Sequence, residues 1–66
     1  MLLHELEWTN YCSSTHCKMA FIPGSRVRIY LSNNGDSYWI AVGHGVVSED
    51  ADPIEAQCWL YKLLAK

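Results

Sequence analysis

Two groups of residues in this sequence have types and spacing that could do chemistry. The first is Arg26, Arg28 and Tyr30, alternating along one short run, with Trp39 following a few residues later. Successive side chains of a strand point to opposite faces. A strand over residues 26–31 therefore puts the arginines and Tyr30 on one face and Val27, Ile29 and Leu31 on the other. A second strand over 38–47, with Ile40 and Val42 matched to the apolar set, adds Trp39, Ala41 and Gly43 to the arginine face. Arginine, tyrosine and tryptophan are the residue types that dominate protein-binding hot spots. On nucleic acid the same types would neutralise phosphates and stack on bases.

The second group is Cys12, His16 and Cys17, with His4 upstream. Thiolate and imidazole ligate zinc, but structural sites take four ligands, usually from paired cysteines two to four residues apart. Adjacent His16 and Cys17 reach one metal only through a tight turn, so no metal is expected. A cysteine with a histidine base is also the constellation of nucleophilic catalysis, with Cys12 or Cys17 paired to His16 or His44. Sequence neighbours seldom face each other in that way, and a short chain has little room for a substrate pocket. The chain therefore reads as a non-enzyme, with no catalytic residue and no cofactor.

The elements that must position these residues can be read from turn and cap signals. Asn34-Gly35, inside a loop over 32–37, is the strongest hairpin signal. Pro23-Gly24 marks a turn after an apolar run over 18–22 that suits a strand. Gly43 and Gly45 interrupt the last strand, where a bend is expected. Asp52-Pro53-Ile54-Glu55 offers an Asp cap, a proline at the first helical position and an acid in the first turn, which places a helix from Pro53 to near Lys66. On that helix Ile54, Ala56, Gln57, Leu60, Tyr61 and Leu64 form a broad side expected to cover the sheet, with Trp59 at the margin beside Lys62. Residues 2–11 read as a short helix and 9–17 as a polar loop, with Trp8 as a core or edge anchor.

The expected fold is α+β, with residues 1–66 as one domain. An antiparallel three-stranded β-sheet is packed by the C-terminal α-helix, and a short N-terminal helix lies at the other face or at an edge. Small α/β domains commonly cover both sheet faces, so the N-terminal segment covering Tyr30 and Trp39 is the competing arrangement.

With 66 residues, such a chain buries only about 60% of its unfolded surface. Half of it is hydrophobic and 18% charged, which is globular and not disordered composition. A net charge of -2 provides no general positive field for a phosphate backbone. The opening residues lack the basic region of a secretory signal, and no apolar run approaches the roughly 18 residues of a membrane span. A cytoplasmic setting with reduced cysteines is expected, and an odd count, three, suits a disulfide framework poorly.

The segment from Trp39 to Leu64, a strand, an acidic turn and the Asp52-Pro53 helix, resembles the C-terminal half of small phage proteins with an alpha-beta-alpha sandwich domain. Pro53, Ala56, Cys58 and Leu64 lie on that family's helix pattern with a one-residue shift at the cysteine. The resemblance implies a sandwich fold and a phage or prophage setting. A further likeness is to the strand-strand-strand-helix end of double-stranded-RNA-binding domains. Their last helix opens on lysines, where this chain has Glu49, Asp50, Asp52 and Glu55. The functional expectation is a small accessory protein that binds and inhibits or redirects a host protein, anti-defence (including anti-CRISPR) action being one form. Arg26, Arg28, Tyr30, Trp39 and Trp59 are its contact residues. The alternative is nucleic-acid binding on the same face, and homodimerisation there is a third use of it.

Overall fold

The computed structural model describes residues 2–64. The expected helix end at Lys66 lies outside the described residues. Five strands, β1 (Thr9–Asn10), β2 (His16–Phe21), β3 (Val27–Ser32), β4 (Tyr38–Val42) and β5 (Gly45–Ala51), form one antiparallel sheet in sequence order. A single helix, α1 (Pro53–Leu64), follows β5, and a 3-10 turn over Leu3–Glu5 precedes β1. The α+β class and the C-terminal helix are as expected; the sheet has five strands, not three.

The extra strands have local causes. Gly43 and His44 do not bend a long strand; they close a two-residue hairpin, with Val42 paired to Gly45. Gly43 takes φ +62 while His44 stays outside the positive region, the φ pattern of a II′ turn, which needs glycine first. At the other edge, Thr9 and Asn10 pair with Met19 and Lys18, so part of the polar segment joins the sheet. The Pro23-Gly24 turn is as read, with Ser25 N–H donating to the Ile22 carbonyl at 3.2 Å and Gly24 at φ +74. The Asn34-Gly35 loop closes where Ser32 N–H donates to the Ser37 carbonyl at 2.9 Å.

The expected division of faces holds across the central hairpin. Val27 pairs with Val42, Ile29 with Ile40, Tyr30 with Trp39 and Arg28 with Ala41. Ile29 and Ile40 are fully buried beneath α1, packed with Ala20, Ile22, Ala51, Ala56 and Leu60. Each such side chain removed from water contributes about 1.5 to 3 kcal/mol.

The helix begins as read: the Asp52 carboxylate accepts from Glu55 N–H at 2.7 Å. Its rotation differs from expectation. Ala56 and Leu60 are buried, Trp59, Leu63 and Leu64 pack against the core, and Ile54 and Tyr61 stand 78% and 53% exposed. Apolar residues occur nearly all around this helix, so the sequence leaves its phase open. Ala56, with no exposed surface, is small enough to let the helix backbone approach the sheet.

The N-terminal segment is a second correction. It is a 3-10 turn and not an α-helix over 2–11, and it lies on the α1 side of the sheet. Leu3 and Leu6 enter the core, Leu3 N–H donates to the Gln57 side-chain oxygen at 2.9 Å, and the Trp8 indole donates to the Leu3 carbonyl at 2.8 Å. Trp8 is the anchor the sequence suggested, packed against the core and 6.1 Å from the Tyr38 ring.

Candidate functional site

The face opposite α1 carries the side chains that the sequence singled out, arranged in rows across the strands. Met19, Tyr30 and Trp39 form one row, and Phe21, Arg28, Ala41 and Val46 the next. With Leu3 and Leu6 committed to the α1 side, the N-terminal turn does not cover this face.

A single extra residue changes its composition. His16 pairs with Ser32 and Lys18 with Leu31, so Cys17 is a bulge between them. Without it, His16 would follow Lys18 and Ala20 onto the α1 face; the bulge turns it to the open one. There its ring meets Trp39 edge-on at 4.9 Å and Tyr30 at 5.3 Å. Tyr11 closes on Tyr30 from the other side at 5.0 Å. These separations are those of favourable aromatic contacts, each worth about 0.5 to 1.5 kcal/mol beyond its area. The ring cluster is thus held in place before any partner arrives.

Arg28 completes the cluster. Its guanidinium lies 5.9 Å from the Tyr30 ring centre, and Nη2 donates to the Gly43 carbonyl at 2.7 Å. The II′ turn thereby positions the arginine through its backbone. Between Arg28, Trp39 and Val46 stands Ala41, only 7% exposed, whose small side chain leaves a shallow depression of ≈ 260 Å³. His44 and Gly45 complete the rim.

Of the residues expected at the site, Arg28, Tyr30 and Trp39 come together. Arg26 is exposed before β3 and lines a separate depression with Pro23, Val42 and Leu64. Trp59 lies across the sheet on α1, half-buried against the core, with the Lys62 ammonium 5.2 Å from its ring centre. His16 and Tyr11 were not foreseen as members. Tyr11 lay in a stretch read as loop, and nothing in the sequence marks a bulge at Cys17.

Cys17 Sγ donates to the Ser32 carbonyl at 3.3 Å, while His16 Nδ1 bonds the Thr15 hydroxyl at 3.0 Å. The two side chains therefore engage different partners and not each other. Among the described residues, no three of His, Cys, Asp and Glu gather in an arrangement that could hold a metal. Cys12, Cys17 and Cys58 are free thiols.

No helix of the described residues is long and apolar enough to cross a membrane. Comparison with family models, with curated proteins and with solved structures gives no match.

Proposed function

We propose that this chain is a small non-catalytic protein-binding module whose docking surface is the open sheet face, centred on Arg28, Tyr30 and Trp39 with His16 and Tyr11. The observation that supports it is a pre-packed cluster of three aromatic rings, a histidine and an arginine, in tilted and edge-on contact, on a face covered by neither α1 nor the N-terminal turn. Rigid aromatic rings lose little freedom on binding, so the surface is ready for contact. The resemblance of the Trp39 to Leu64 segment to small phage proteins supplies the setting. The module is then a phage or prophage accessory protein in the host cytoplasm, which binds and inhibits or redirects a host protein, an anti-defence or anti-CRISPR role being one form.

Capture from host lysate by the wild-type protein, compared with Trp39→Ala and Arg28→Ala, tests the reading. A host protein recovered by wild type and lost at least ~10-fold by both variants, with their thermal unfolding cooperative and little shifted, supports it. Capture retained by both variants, or no specific partner, overturns it.

Nucleic-acid binding is the second reading, favoured by the guanidinium stacked over Tyr30 beside Trp39. It requires an oligonucleotide gel shift that weakens steeply with salt. The net charge of -2 weighs against it.

A further inference from the structure

Arg28 is half-buried, yet among the described residues its side chain has only two partners, the Gly43 carbonyl and the Tyr30 ring. Neither neutralises it. A guanidinium has five N–H donors in a fixed fork, and one is fixed by the Gly43 carbonyl. That bond orients the fork and leaves donors beside the depression floored by Ala41. No Asp or Glu lines the depression, whereas His16 and His44 do. The acids lie elsewhere: Glu49, Asp50, Asp52 and Glu55 lie where β5 passes into α1, Glu5 ends the N-terminal turn and Glu7 follows it, and Asp36 sits in the β3–β4 loop. By register, Glu49 and Asp50 lie between the partners of Tyr38 and Ile40, along the β5 edge opposite Trp39, and neither lines the depression.

We infer that Arg28 is a carboxylate receptor, and that the occupant of this face is an acidic segment of a partner protein. In that segment an Asp or Glu lies next to an aromatic or branched apolar side chain. The inference rests on the open face being the docking surface and assigns the chemistry of what docks. The carboxylate takes the guanidinium fork through charge-assisted hydrogen bonds, which are shorter and stronger than neutral ones. The neighbouring apolar side chain sits over Ala41, between Trp39 and Val46. A nucleic-acid backbone is the poorer occupant, since it repeats its phosphates and is held by several cations, while the depression offers one guanidinium and Arg26 lies away from it.

The test is titration of isotope-labelled protein, followed by magnetic resonance. The probes are a short blocked peptide of alternating glutamate and phenylalanine, its glutamine counterpart, and a short oligothymidylate. The glutamate peptide is expected to shift His16, Arg28, Tyr30 and Trp39 signals saturably. The glutamine peptide should bind at least ~10-fold more weakly, as should the glutamate peptide to Arg28→Lys, which keeps the charge but loses the fork. Equal binding of the two peptides, preferred binding of the oligothymidylate at these residues, or no shift with any probe overturns the inference. The peptide comparison uses wild-type protein, so it stands even if Arg28→Lys folds poorly. With a captured host protein in hand, the two levels separate. Loss of capture by Trp39→Ala with capture retained by Arg28→Gln overturns the carboxylate assignment and leaves the face intact as a docking surface. Retention by both variants overturns both.

Discussion

At the scale of single residues, burial separates apolar side chains that the sequence treats alike. Leu60 is fully buried beneath the sheet, while Ile54, on the same helix, is 78% exposed. Leu60→Ala should therefore cost about 2 to 5 kcal/mol, most of what a domain of this size has to spare, and Ile54→Ala should stay within about 0.5 kcal/mol. Urea unfolding of the two variants measures the contrast, and equal losses would contradict the helix rotation. The three cysteines separate in a similar way. Cys12 and Cys58 are exposed, whereas Cys17 is partly covered and its thiol donates to the Ser32 carbonyl. Timed alkylation with mass spectrometry should modify Cys12 and Cys58 before Cys17. The arginine and aromatic residues of β3 and β4 were legible because alternation is a local property of a strand. His16 was not legible, since its face depends on the bulge at Cys17, and a bulge arises from how two strands pair.

At the scale of elements, short signals were read more reliably than long ones. The Asp52 cap is one, and Asp52→Ala should cost about 1 kcal/mol while Asp52→Asn retains most of it; a shift of the urea midpoint with unchanged slope checks this. Gly43 is another, although its role differs from expectation, closing a turn instead of bending a strand. A Cβ there meets nothing within 4 Å, but the residue has φ +62. Gly43→Ala should accordingly destabilise through the backbone alone, by about 1 kcal/mol. It should also disturb Arg28, whose guanidinium is bonded to the Gly43 carbonyl, so its Nη signals should shift along with the loss of stability. The helix rotation was hidden because Ile54, Cys58 and Tyr61 form an apolar stripe as convincing as the one that is buried. Only the sheet and the incoming Leu3 and Leu6 decide between them.

At the scale of the whole molecule, the core cluster of the described residues lies on one side of the sheet. The first and last elements meet there, through Leu3 and Gln57, and the other side keeps its rings and its arginine. That division was only half visible in the sequence. Register predicts which side chains share a face, but which face receives the N-terminal segment depends on contacts between the two ends of the chain. The sheet's edges carry one more consequence. β1 has two residues, and β5 gains an extra residue between Ala41 and Ile40 and another near Asp50, which sits at φ +52. An edge strand is ordinarily a template on which another chain can add by backbone hydrogen bonding. Here Val46 and Val47 are exposed on such an edge, but the irregular backbone breaks its donors and acceptors into runs too short to seed a growing stack. The kinks in β5 thus make this edge a poor template for the addition of another strand.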